Sequence, residues 1–184
     1  MFKRAPNKVL FMLFAVFILA FDQVSKWAIT EKMIKPALDT PETFGFWEWL
    51  MRFGERLPYT AIEIFSFFNI VMVWNRGVSF GMLTQDSAIG SWFLVGLSLV
   101  ITVWFTAWLL TSQNRVQCTA IAMVMGGAIG NAIDRIRFGG VIDFLDFHAF
   151  GWHYPAFNVA DSCIVIGVLI LIVYTLFFEK NFHT

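Results

Sequence analysis

The sequence predicts an all-α membrane protein of four transmembrane helices, with a small extracytoplasmic β-cradle and a short interfacial amphipathic helix. Three observations carry this reading. Of the 184 residues, 58% are apolar and 14% charged, against about 45–50% and about 25% in an ordinary soluble domain. Four stretches meet the requirement of ~20 mostly apolar residues for a helix that crosses a bilayer. The 22 Phe and 8 Trp suit a chain that faces lipid and its interface. The length fits a single membrane domain, residues 1–184, with no room for a sizeable second one. A formal net charge of zero gives no sign of nucleic acid or an acidic partner.

The spans fall at about residues 9–29, 88–110, 119–136 and 157–178. Lys3, Arg4 and Lys8 precede the first. That stretch could be misread as a secretory signal, but no small-x-small pattern follows it, so it reads as an uncleaved anchor. Four spans place both termini on one face, and the basic start puts that face in the cytoplasm. Arg115 and Lys180 fall on the same side. Cys118 and Cys163 lie near opposite faces of the bilayer, and each reads as a small core residue.

The long segment between the first two spans, about 30–87, forms an outer subdomain. Phe46, Leu50, Phe53 and Leu57 recur at helical spacing, with Glu48, Arg52, Glu55 and Arg56 on the other side. This predicts a short amphipathic helix in the outer interface; a buried helix of the subdomain is the alternative. After Pro58, residues 62–74 are rich in β-branched and aromatic types and run into the turn signal Asn75-Arg-Gly77. One or two strands follow from that pattern. Residues 137–156 form the outer segment between the third and fourth spans.

Chemistry concentrates where spans meet the outer face. Asp143 follows Gly139 and Gly140 just beyond the third span, and Asp161 stands in the first turn or so of the fourth. An ionisable group at a membrane core edge is costly and marks function. Two neighbouring carboxylates resist double ionisation, so one keeps a proton while the other stays charged. An aspartic protease needs that division between acid and base. The bland alternative for Asp161 is pairing with the helix dipole, although Asn158 is the better cap. In the third span, Gly126 and Gly130 allow close helix approach, and Asn131, Asp134 and Arg135 share one helix face. Asp134 with Arg135 reads as a structural polar network, and Arg135 alternatively orients substrate or tunes the acidic site. Asp22 and Lys26 are spaced for an ion pair on the first span. Asn75, Gly77 and Phe80 form a turn able to meet a peptide backbone. His148, His153 and Asp146 match no standard metal spacing. No metal and no cofactor is expected. The chain has no Gly-x-Ser-x-Gly elbow, no His-Glu-x-x-His and no phosphate loop, which argues against serine- and zinc-protease readings.

Five stretches converge: Asp22-Gln-Val-Ser-Lys26, Asn75-Arg-Gly-Val-Ser-Phe-Gly81, Gly130-Asn-Ala-Ile-Asp-Arg135, Gly140-Val-Ile-Asp-Phe144 and Phe157-Asn-Val-Ala-Asp161. In this order they resemble lipoprotein signal peptidase (signal peptidase II), a family of bacterial membrane aspartic proteases. The resemblance implies Asp143 and Asp161 as the catalytic dyad. Asn131, Arg135 and Asn158 would be the polar residues around it, and Asn75, Asp22 and Lys26 would support the site or position substrate. It implies a diacylglyceryl-modified prolipoprotein as substrate, cut just before the lipidated cysteine. Membrane lipid and the family's cyclic-peptide inhibitors are implied as further partners. The implied setting is the bacterial cytoplasmic (inner) membrane, with the site facing the periplasm or cell exterior and a monomeric enzyme. The first outer loop departs from the family in length, with an added Phe/Trp-rich stretch near residues 41–57. A small proton- or ion-coupled transporter is the alternative from another class; it would place charges at the bilayer midplane and use repeats or broken helices.

Overall fold

The computed structural model describes residues 6–40, 42–77 and 88–178. Lys3, Arg4, Phe80, Gly81 and Lys180 lie outside them. Among the described residues, four helices are long and apolar enough to cross a membrane: α1 (Lys8–Ile29), α4 (Ala88–Thr111), α5 (Arg115–Phe138) and α6 (Val159–Phe177). The chain is a multi-pass membrane protein. Between α1 and α4 lie a π-helical turn (Thr30–Ile34), α2 (Lys35–Ala37), α3 (Phe46–Leu50), β1 (Thr60–Phe65) and β2 (Phe68–Asn75). Between α5 and α6 lie β3 (Val141–Ala149) and β4 (Trp152–His153).

Asparagine starts three of the spans. The side chains of Asn7, Asn114 and Asn158 accept hydrogen bonds from otherwise orphaned N–H groups of α1, α5 and α6, as N-caps do. Helix α5 ends at Gly139, whose φ of +67° is left-handed and suits glycine. Most of α5 is buried, and the other spans pack around it. Glycine makes this possible. A Cβ on Gly126 would stand 2.6 Å from the Ala15 carbonyl oxygen of α1, and one on Gly127 would stand 2.5 Å from that of Ala160 on α6. The Lys8 ammonium donates to the Ser112 carbonyl, tying the start of α1 to the α4–α5 turn. Val9, Phe17, Trp92, Val103, Leu169 and Ile172 are exposed, as lipid-facing residues of such a bundle must be.

The four strands form one antiparallel order, β1-β2-β3-β4. In the β2–β3 pair, Val73 faces Asp143 and Asn75 faces Val141, with a bulge between Ile70 and Val73. Phe157 bridges back to Leu145. A second core forms under the sheet from Ile34, Trp49, Ile70, Met72, Phe138, Ile142 and Phe144.

Three expectations change. Helix α3 covers only Phe46–Leu50, so Phe53 and Leu57 lie outside it. The chain turns at Gly54, at φ +82°, and its N–H is taken by the Arg137 carbonyl at 2.9 Å. The outer segment after α5 is a strand over Val141–Ala149, so Asp143 is held by a sheet rather than by a loop. The first helical stretch also runs on past Ile29 to Ala37. Cys118 and Cys163 are both free.

Candidate active site

Asp143 and Asp161 arrive from different elements. Asp143 is placed by β3, where the pairing with Val73 fixes its register. Asp161 is the third residue of α6 and completes a capping box with Asn158. Asn158 Oδ1 accepts the Asp161 N–H at 2.9 Å, and Asp161 Oδ2 accepts the Asn158 N–H at 3.4 Å. Asn158 Nδ2 then donates to Asp143 Oδ1 at 2.7 Å and to Asn131 Oδ1 at 3.3 Å. Asn131 Nδ2 donates to Asp161 Oδ1 at 2.7 Å. The two carboxylates are thus joined through two asparagine amides. Backbone stitching holds the frame, because Phe157 O accepts from the N–H groups of Phe144 and Leu145 at 3.1 and 2.9 Å.

Burial and then the neighbouring Asp161 charge push the Asp143 carboxyl up to about 7, against the opposing hydrogen bonds from Asn75 and Asn158. Asn75 can supply its amide because its side-chain Oδ1 accepts the Gly77 N–H at 3.0 Å.

Beneath the pair lies a buried charge cluster. Lys26 Nζ stands 2.7 Å from both Asp22 Oδ2 and Asp134 Oδ2, and all three side chains are fully buried. Such a cluster survives only if its remaining lone pairs are satisfied. Asp22 Oδ1 accepts the Ala160 N–H at 2.9 Å, which also places a carboxylate at the positive end of α6. Asp134 Oδ2 accepts the Ile142 N–H at 3.2 Å. Lys26 Nζ also donates to Asn131 Oδ1 at 3.3 Å, so the cluster reaches the carboxylate pair through one residue.

All eight sequence-derived candidates therefore fall in one region. Asp143, Asp161, Asn131, Asn158, Asp22 and Lys26 form a continuous hydrogen-bonded set, and Asn75 joins at Asp143. Arg135 donates to the Asn131 carbonyl at 3.4 Å, while its buried Nε has no hydrogen-bond partner. Asp134 pairs with Lys26 across the helices and not with Arg135. Two residues escaped the sequence reading. Gln23 Nε2 donates to Asp134 and Asp22 at 3.0 and 3.2 Å, and Arg137 NH1 donates to Gln23 Oε1 at 3.4 Å. Both sit inside matched motifs or beside them, but nothing in their spacing signals a contact across 114 positions.

Next to Asp161 opens a cavity of about 730 Å³, walled by Phe147, Phe157, Ile164, Val165 and Ile166. On the sheet, His153 Nδ1 stands 2.9 Å from Asp146 Oδ1, and the His148 and His153 rings stack at 4.7 Å. Burial pushes the Asp146 carboxyl up, but the hydrogen bonds from His153 and Asn69 outweigh it and hold the group below its usual range. Among the described residues no group of three His, Cys, Asp or Glu side chains could hold a metal ion.

Residues 14–177 match the family model described as Signal peptidase (SPase) II. A lipoprotein signal peptidase of Cupriavidus necator is 39% identical over 171 residues, 92% of this chain and 84% of that protein. One of Ralstonia nicotianae is 40% identical over 149 residues, 80% of this chain and 78% of that protein. A bacterial membrane enzyme solved by the in meso method at 2.3 Å resolution superposes with a TM-score of 0.71 at 28% identity, covering 99% of this chain and 96% of that one. The chain belongs to the signal peptidase II family.

Proposed function

We propose that this chain is a membrane aspartic endopeptidase that removes the signal peptide from diacylglyceryl-modified prolipoproteins, cutting just before the lipidated cysteine. The observation that carries this reading is the pair Asp143 and Asp161, joined through the amides of Asn158 and Asn131. A carboxyl brought to about 7 retains its proton near neutral pH and can act as an acid. Asp143 donates that proton to the scissile carbonyl oxygen, while Asp161 takes a proton from the attacking water. The tetrahedral intermediate then collapses: the C–N bond breaks, one gem-diol hydroxyl returns its proton to Asp143, and the proton held by Asp161 passes to the leaving amine.

Arg135 and Asn75 would meet the substrate backbone, since Arg135 has a buried unpartnered N–H and Asn75 is exposed beside Asp143. The apolar cavity beside Asp161 suits hydrocarbon, as a signal helix or a lipid chain would bring. The family's cyclic-peptide inhibitors would bind at the same pair, and the enzyme acts as a monomer. It sits in the bacterial inner membrane with both termini cytoplasmic. Lys8 begins α1 and Arg115 begins α5, and basic residues at these span ends favour the cytoplasmic side for both. The ion-transport alternative finds no support in the family match, and the carboxylate pair lies where α5 and α6 meet the sheet rather than midway along the spans.

A direct test mixes the purified protein in detergent with a diacylglyceryl-modified prolipoprotein and, separately, with its unlipidated form. A gel shift for the lipidated form alone is expected. No shift from well-folded protein would overturn the reading and make ion flux the next assay.

A further inference from the structure

Arg137 is charged, buried and absent from the chemistry above. Its guanidinium lies 4.1 Å from the Trp49 ring and 4.4 Å from the Phe138 ring. It donates to the Trp49 carbonyl, to the Arg52 carbonyl at 3.3 Å and to Gln23 Oε1 at 3.4 Å. Only the planar fork of arginine can serve three separated acceptors while stacking on aromatic faces. The segment it grips in turn caps α5. Gly54 N–H donates to the Arg137 carbonyl at 2.9 Å, and Arg56 Nε donates to the Phe138 carbonyl at 2.6 Å, satisfying carbonyls that a helix end leaves orphaned.

The donor–acceptor inventory fixes the Gln23 amide in one orientation. Arginine only donates and ionised carboxylates only accept. The Gln23 oxygen must therefore face Arg137, and its NH2 must face Asp134 Oδ1, Asp22 Oδ2 and the Gly130 carbonyl, at 3.0, 3.2 and 3.3 Å. From there the set continues through Lys26 to Asn131 and Asp161. The stretch around α3 that lengthens the first outer loop is thus tied to the acidic pair by an unbroken run of polar contacts.

The geometry points to Arg137 and Gln23 as positioning residues for the Asp161 half of the pair: they anchor the Lys26–Asn131 arm that holds the Asp161 carboxylate and dock α3 onto the same frame. This rests on the endopeptidase reading above. Arg137→Lys keeps the charge and loses the fork. Gln23→Met keeps the length and loses both the donor and the acceptor.

The test measures kcat, KM and the pH–rate profile of wild type, Arg137→Lys and Gln23→Met on the lipidated prolipoprotein, with melting temperature and helical content recorded alongside. Both variants are expected to lower kcat per folded molecule by roughly ten- to hundred-fold, the scale for a misplaced catalytic group. KM should stay within about two-fold, the mark of an interaction felt in the transition state. The pH–rate profile should differ from that of wild type, a readout that a merely structural role would not move. Variants whose kcat per folded molecule and pH profile match wild type, or that change KM alone, would overturn the inference, even if their melting temperatures fall. Inactive wild type would instead remove the endopeptidase reading itself. If Arg137→Lys does not fold, Gln23→Met decides.

Discussion

Asn158 Nδ2 stands 2.7 Å from Asp143 Oδ1, while Asn158 Oδ1 accepts the Asp161 N–H at 2.9 Å. One fully buried side chain is therefore a helix cap toward α6 and an amide donor toward β3. The helix start and the strand cannot shift relative to each other without breaking one of these contacts. Replacing Asn158 by Ala should cost about 1 kcal/mol for the lost cap and lower kcat by roughly hundred-fold through misplacement. The Asn158 hydrogen bond holds the Asp143 carboxyl down against burial and the Asp161 charge. Its loss should move the basic limb of the pH–rate profile upward, which a pH series on the variant would reveal.

Asp143 also makes stability depend on pH. Its carboxyl is raised from 3.8 to about 7 by burial, then by Asp161. Between those values the folded state binds more protons than the unfolded state, so stability falls as pH rises. The contribution is fully present below 3.8 and lost on passing through about 7. Asp143→Asn cannot suffer that loss. Melting curves in detergent should show the variant above wild type at alkaline pH, with the gap closing toward the acid end. Parallel curves across the range would contradict the assignment.

Lys26→Met leaves Asp22 and Asp134 buried without their cation. Breaking a buried charge cluster from one side costs about 3–5 kcal/mol. The variant should melt far below wild type or fail to accumulate in the membrane, as quantitative immunoblotting and thermal denaturation would record. A loss of under ~1 kcal/mol, the surface-pair scale, would mean that the cluster is not closed as described.

Gly127→Ala tests the helix contact beneath the pair. The added Cβ would meet the Ala160 carbonyl at 2.5 Å, one residue from Asp161, and backbone cannot step aside as a side chain can. Overpacking of this kind costs about 1–3 kcal/mol. Gly96→Ala meets nothing within 4 Å and should leave the melting temperature at or above the wild-type value, since alanine favours helix.

Hydropathy alone made the four spans legible, because a bilayer leaves helices little choice of length or composition. The acidic pair was legible from two aspartates at matching membrane depth and from the motifs around them. Strand β3 was not, although Val141-Ile-Asp-Phe-Leu-Asp-Phe147 carries strand-forming types; its pairing with β2 reaches across two whole spans, α4 and α5, which local pattern cannot see. The Lys26–Asp134 contact was hidden for a related reason. Asp22 at i−4 offered a sufficient local partner, and the inter-helix partner appears only when α1 packs on α5. Helix α3 read too long because Phe53 and Leu57 keep helical spacing, whereas Gly54 and the Arg137 carbonyl end the helix in the folded chain.

The most direct measurement is cleavage of the diacylglyceryl-modified prolipoprotein by wild type, Asp143→Asn and Asp161→Asn, each verified as folded by helical content and melting. Wild type should shift the substrate on a gel, and both variants should leave it uncut. Near-normal turnover by either folded variant would contradict the dyad and require another source for the acid or the base.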